Sequence, residues 1–398
     1  MRLVVFTGRG GVGKTTTAAA TAAHAASRGV KTLVMSADPA PALADQLGLS
    51  LGPQPSEVGA GLFASQMDPH RLAQRFWESA RRPALDALDD LGVDPLAAED
   101  LADLPGLDDL LALLAVREET RDGPWDLVVV DCAPSAAAFR LLATPGRLGR
   151  LLARLLPMER RLDRLSARGM AGDPLVDAVD RFAGELAGLR SMLTDGSTSV
   201  RLVMTPEASA LTQTRRLFTA LTMSGFPVDA VVVNRIFPTG PPASSMDLLM
   251  DQPMGWQNTW RRSQEAVLAD IVSSFEPVPV LRMTYAPAEP QGLEQLADLG
   301  LELYGNQPGP VRPGPLPPRV ERTDTGFSLS LAMPLARRET LDLGRRGDDL
   351  VVTADGYRQV LPLPGVLRRC RVENATLREG TLAVAFVPDP AQFPSRWM

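Results

Sequence analysis

Two hydrophobic rhythms divide this chain. Up to about residue 304, short continuous apolar runs alternate with longer stretches in which apolar positions recur every three or four residues. The runs read as strands buried on both faces, the stretches as amphipathic helices. Strands are expected at Leu3–Phe6, Lys31–Met35, Trp125–Asp131, Val200–Thr205, Ala230–Asn234 and Val278–Leu281. Helices are expected from the end of the first glycine loop to Arg28, with Gly29 closing it, and at Leu107–Arg117, Leu211–Met223, Trp260–Phe275 and Leu293–Tyr304. Pro69–Leu91 also carries helical spacing, whereas 50–65 and 239–255 read as loop. Strands alternating with helices imply an α/β fold built on a doubly wound parallel sheet.

Beyond residue 304 the texture changes. Asn306–Pro318 is rich in Pro and Gly and reads as a semi-rigid linker. Past it, Phe327–Leu331 alternates with period two, and Asp349–Val352, Tyr357–Leu361 and Leu382–Phe386 follow. Asp355-Gly356 and Glu379-Gly380 supply hairpin turns. The division expected is an α/β domain over 1–304, a linker over 305–319, an all-β sandwich over 320–390 and a tail over 391–398 that either docks or is disordered.

Composition narrows the class. The 398 residues suffice for two domains. A net charge of −6 and a pI near 5.2 weigh against nucleic acid as a partner. Cys132 and Cys370 form no C-x-x-C pair, and His24 and His70, each read as an ordinary surface histidine, build no metal site. The chain enters its first strand without a signal peptide, and no run of about 18 apolar residues appears, so a soluble cytoplasmic protein without stable membrane insertion is expected. A stretch over 147–168 sets leucines against arginines. A core face with a solvated back is the common reading of such a stripe, and a helix touching a client or a membrane the rarer one.

The chemistry begins at Gly8-Arg9-Gly10-Gly11-Val12-Gly13-Lys14-Thr15-Thr16. It matches G-x-x-x-x-G-K-[ST] in the required context of strand, loop and helix. Glycines let main-chain N–H groups converge on phosphate oxygens, and the helix N-terminus adds a favourable dipole. Lys14 brings a positive charge to the β- and γ-phosphates, and Thr15 a hydroxyl for Mg²⁺. Asp38 ends the second strand, where α/β folds bind ligands. Asp131 ends the third apolar run, as a Walker-B-type carboxylate would.

Together these segments resemble the deviant Walker A ATPases of the arsenite-pump (ArsA) and tail-anchored-protein targeting factor family, over about 1–304. Ser36-Ala37-Asp38-Pro39-Ala40 resembles that family's switch I, Asp131-Cys132-Ala133-Pro134 its switch II, and Val233-Asn234-Arg235 its adenine-side segment. Ala375–Val384 resembles the A-x-x-x-x-G-x-L-x-V signature of the α-crystallin, small heat-shock protein fold. The resemblance implies ATP and Mg²⁺ as cofactors. The nucleotide would lie on Gly10, Gly11, Val12, Gly13, Lys14, Thr15, Thr16, Asn234 and Arg235, and the metal on Thr15 and Asp131. Asp38 would position the attacking water, and Arg9 would stand where the family's signature lysine reaches a partner's phosphates. It further implies a homodimeric, nucleotide-gated, chaperone-like binder of hydrophobic protein segments. The sequence also departs from the family: Pro41 replaces a switch I histidine, and Cys132 with Ser135 to Ala138 replaces polar and glycine positions of switch II. These departures keep a second reading open, a nucleotide-binding regulator or holdase with little turnover. An arsenite efflux subunit is less favoured, since it calls for clustered thiolates.

Overall fold

The computed structural model describes residues 1–38, 40–68, 71, 72, 74, 78, 107–132, 174–238, 255–307 and 319–392. The expected helix over 69–91, the 147–168 stretch, most of switch II, the 239–255 loop, most of the linker and nearly all of the tail lie outside these residues. The chain packs as two compact units, one of residues 1–198 with 288–309, the other of 199–287 with 310–398.

In the first unit, β1 (Arg2–Gly8), β2 (Thr32–Ser36) and β5 (Leu127–Asp131) are almost wholly buried, as their unbroken apolar runs require. β5 lies between β1 and β2 and runs parallel to both, so Asp131 stands in register with Phe6 on one side and Ser36 on the other. All three sit at the carboxyl ends of their strands. β4 (Leu62–Gln66) extends the sheet beside β2, and β3 (Ser56–Gly59) adds an antiparallel edge. These two strands correct the loop expected over 50–65: Ala64 and Ser65 are fully buried but too small or polar to mark a hydrophobic run. The helices are α1 (Lys14–Ser27), α2 (Ala42–Leu47), α3 (Leu107–Asp122), α4 (Pro174–Thr194) and, after the second unit's first segment, α7 (Gly292–Tyr304). α4 was not expected.

α1 carries alanines on its buried face, which lets a neighbour approach closely. That neighbour is α7. A Cβ at Gly300 would lie 2.4 Å from the Ala20 carbonyl oxygen, so only glycine fits there. Thr21 and the Tyr304 hydroxyl share a 2.7 Å hydrogen bond. The surface position expected for His24 is also corrected: it is 1% exposed, lies against the Tyr304 ring, and its Nε2 is 2.8 Å from the Gln307 carbonyl oxygen. Its place on the inner face of α1 buries it; His70 is not among the described residues.

In the second unit, β6 (Thr198–Met204), β7 (Val228–Ile236) and β8 (Val280–Thr284) run parallel, joined through α5 (Ala208–Met223) and α6 (Gly255–Phe275). Arg201 on β6 and Asp229 on β7 form an ion pair at 2.7 Å with both side chains fully buried, and the Ser199 hydroxyl donates to the same carboxylate. A pair so enclosed is held by its hydrogen bonds rather than by net Coulomb gain.

The C-terminal strands form two antiparallel sheets, β14-β15-β10-β9 and β11-β12-β13. β10 (Phe327–Ala332), β12 (Asp349–Ala354), β13 (Tyr357–Pro362) and β15 (Thr381–Pro388) were legible from alternation. β9 (Arg319–Arg322), β11 (Asp342–Arg346) and β14 (Cys370–Arg378) were not, since they are charged and mostly exposed. Leu329, Leu331, Leu350, Val352, Val384 and Phe386 make one core, which also takes in Met223 at the end of α5. Both expected hairpin turns are present: Asp355-Gly356 and Glu379-Gly380 all have positive φ, the backbone of a type I′ turn. Arg345 on β11 donates to the carbonyls of Gly347, Arg368 and Cys370, tying the β11 edge to the start of β14. The observed α/β organisation with separate C-terminal antiparallel sheets is the fold class that the sequence implied.

Candidate functional site

The glycine loop between β1 and α1 is shaped by left-handed residues. Gly11 has φ +77° and Gly13, at the N-cap of α1, φ +88°, conformations that cost other L-residues strain. No side chain caps α1, so its first N–H groups are left for an anion. Lys14 is 7% exposed and folds back over the loop, its Nζ 3.4 Å from the Arg9 carbonyl oxygen. An ammonium that buried, with one long contact to the main chain, sits in a cradle fitted to negative charge. The Arg9 side chain is exposed.

Because β5 separates β1 from β2, Asp131 meets the start of α1. Thr15 Oγ1 donates to Asp131 Oδ2 at 2.7 Å. Asp131 Oδ1 is buried with no hydrogen-bond partner. Burial pushes the Asp131 carboxyl up to about 6, against the Thr15 hydrogen bond and the Lys14 charge, which pull it down; the Asp38 charge pushes it further up. A buried carboxylate with one orphaned oxygen beside a threonine hydroxyl suits a hard divalent cation with oxygen ligands such as Mg²⁺.

Asp38 is half-buried where the chain leaves β2. Its Oδ1 accepts from the Ala40 N–H at 3.1 Å, its N–H donates to Ser36 Oγ, and its carbonyl accepts from Gln66 Nε2 at 2.7 Å. The first unit thus brings together Lys14 and Thr15 with Asp38 and Asp131, from three segments far apart in sequence. Thr16 turns its hydroxyl to Gln46 on α2, with Oγ1 donating to Oε1 at 2.9 Å.

Asn234 and Arg235 lie in the second unit, at the carboxyl end of β7. Asn234 is 6% exposed and its Oδ1 accepts from the Arg235 N–H at 2.7 Å. Arg235 has φ +61°, strained for a residue with a Cβ. Gln264 on α6 holds this turn, donating to the Arg235 carbonyl and accepting from the Phe237 N–H. The Phe237 ring stacks on Tyr285 at 5.6 Å. Gln46 and Gln264 were missed in the sequence; the available signal was a polar residue in a mostly apolar helical stripe, 6% exposed in both cases. Cys132 and Cys370 are buried and form no disulfide with one another.

Comparison with known proteins bears on this constellation. Residues 1–305 match the family model described as anion-transporting ATPase, and 324–386 that of an HSP20-like domain found in ArsA. An uncharacterized protein of Streptomyces coelicolor is 37% identical, covering 99% of each chain. A Prosthecochloris vibrioformis protein provisionally named an arsenical pump-driving ATPase is 29% identical over 97% of this chain and 96% of its own. ATPase GET3 of Phaeosphaeria nodorum is 24% identical over 74% of this chain and 92% of its own.

Proposed function

This chain belongs to the anion-transporting ATPase family and carries that family's HSP20-like domain, and from this membership we propose that it is an Mg²⁺-dependent ATPase working as a homodimeric, nucleotide-gated binder of hydrophobic protein segments. The observation that carries the nucleotide part is the contact of Thr15 with Asp131, whose second oxygen is buried without a partner.

Bound Mg²⁺·ATP supplies the phosphoryl group and the counter-charge; positioning falls to the chain. The loop N–H groups from Gly10 to Thr16 and the Lys14 ammonium hold the phosphates. Thr15 and Asp131 hold the metal. Asp38, on a turn pinned by Ser36 and Gln66, orients a water for attack. Arg9, exposed on the loop, offers a guanidinium to the phosphates of a second copy. The family resemblance assigns recognition of the base to Asn234 and Arg235. The work is done in the cytoplasm, without nucleic acid. The client-binding part rests on the family resemblance and on the HSP20-like domain.

A second reading, nucleotide binding with little turnover, is favoured by one observation: Ser135 to Ala138 offer few of the polar groups and none of the glycine that the family's switch II carries. A metalloid-pumping role, the one in the Prosthecochloris relative's name, needs clustered soft ligands, and the chain has only two cysteines, far apart in sequence.

Phosphate release by the purified full chain with Mg²⁺ and ATP, beside binding of a non-hydrolysable analogue, tests the proposal. Release that stops in Lys14→Ala, with dimerisation on adding the analogue, is the expected result. Tight binding with no release selects the second reading, and no binding overturns both.

A further inference from the structure

Gln46 carries an inference that rests on the nucleotide-binding reading and goes beyond it. Its side chain lies between two elements that the P-loop motif does not connect. Nε2 donates to the carbonyl of Pro290, just ahead of α7, and Oε1 accepts from Thr16 Oγ1 at 2.9 Å. The directions are fixed by chemistry. A proline carbonyl can only accept, so the amide nitrogen must face it; the amide oxygen then faces Thr16, and the threonine hydroxyl must donate. Gln46 is 6% exposed, so each of these bonds satisfies a buried polar group.

A threonine hydroxyl has one proton to give. Phosphate oxygens only accept. A phosphate seated against Thr16 can therefore draw that proton only if Thr16 leaves Gln46, which strands a buried amide oxygen. The amide then regains a partner by turning, and turning moves the group that holds Pro290. Pro290 precedes Gln291, the N-cap of α7, whose N–H donates to Gln295 Oε1 at 3.1 Å. α7 in turn packs along α1 through Gly300 and Tyr304.

We infer that Gln46 is a positioning residue that couples nucleotide at Thr16 to the segment 288–295 at the start of α7, by competing with phosphate for the Thr16 hydroxyl proton. Gln46 touches no phosphate itself. Its removal frees Thr16 for phosphate and cuts the connection to Pro290 at the same time. A glutamine with a merely structural part would, when replaced, lower stability without tightening nucleotide binding.

The test uses the full chain and ADP. Affinity is measured calorimetrically, and backbone hydrogen exchange over 288–304 is followed with and without ADP, in the wild type and in Gln46→Leu and Gln46→Met. The second variant keeps a long flexible side chain should the first fail to fold. The wild type is expected to show an ADP-dependent change in exchange over 288–295. Both variants are expected to bind ADP about 5-fold more tightly, about one hydrogen bond's worth, and to lose the ADP-dependent change. Unchanged affinity together with a wild-type exchange response in either folded variant overturns the inference and leaves the nucleotide-binding reading standing. A wild type that takes up no ADP overturns that reading, and this inference with it.

Discussion

Thr15 Oγ1 donates to Asp131 Oδ2 at 2.7 Å, across 116 positions of sequence, and the other oxygen of the same carboxylate is buried with no partner. A fold tolerates an orphaned buried acceptor when something else completes it. On the proposed function that is the metal accompanying ATP. Asp131→Asn keeps the shape and removes the charge. It is expected to retain ADP binding measured without Mg²⁺ and to cut Mg²⁺-dependent phosphate release by roughly 100-fold or more. Titrations with and without Mg²⁺ on the same preparation check both halves.

The same carboxyl makes stability depend on pH. Its folded-state pKa, about 6, lies above the ordinary 3.8, so the fold favours the neutral form. Below about pH 4 the group is neutral folded and unfolded, and its contribution is fully present. As pH rises through 6 the fold must hold a buried carboxylate, and that contribution is lost, by up to roughly 3 kcal/mol. Thermal midpoints without ligand are expected to show Asp131→Asn gaining on the wild type as pH rises from about 4 to about 7. Metal binding requires the ionised form, so Mg²⁺·ADP is expected to stabilise the wild type more as pH rises across the same window.

Asp38 is held through its N–H, its carbonyl and one carboxylate oxygen, so its position is a property of the turn rather than of a flexible side chain. Asp38→Asn preserves an acceptor for the Ala40 N–H but weakens the pull on an attacking water. ATP binding is expected to stay within about 3-fold of wild type, with hydrolysis lost. Unchanged turnover in this variant removes Asp38 from the mechanism.

Arg201 and Asp229 are each fully buried and bonded to one another. Truncating one partner leaves the other charged and enclosed. Asp229→Ala is expected to destabilise the second unit by about 3–5 kcal/mol, whereas the apolar double replacement Arg201→Met with Asp229→Leu is expected to cost far less. Urea unfolding of the three proteins, followed by tryptophan fluorescence, gives the comparison.

Much of the fold was legible because its signals are local. β1, β2 and β5 are buried on both faces and so read as apolar runs. The type I′ turns at Asp355-Gly356 and Glu379-Gly380 read from residue type, because a positive φ at both positions narrows the choice. Features that owe their place to neighbours rather than to their own pattern did not read. β11 and β14 are held by pairing to β12 and β15, and His24 is buried because α7 lies over it.

The sequence alone determined the glycine loop, since its glycines and Lys14 lie along one short turn and the motif reads from their spacing. It also placed Asp38 and Asp131 at strand ends. Only the tertiary structure decided that β5 lies between β1 and β2, which is what sets Asp131 against Thr15, and that Gln46 stands between Thr16 and Pro290. Strand order and side-chain direction depend on contacts among distant segments, and no local periodicity encodes those.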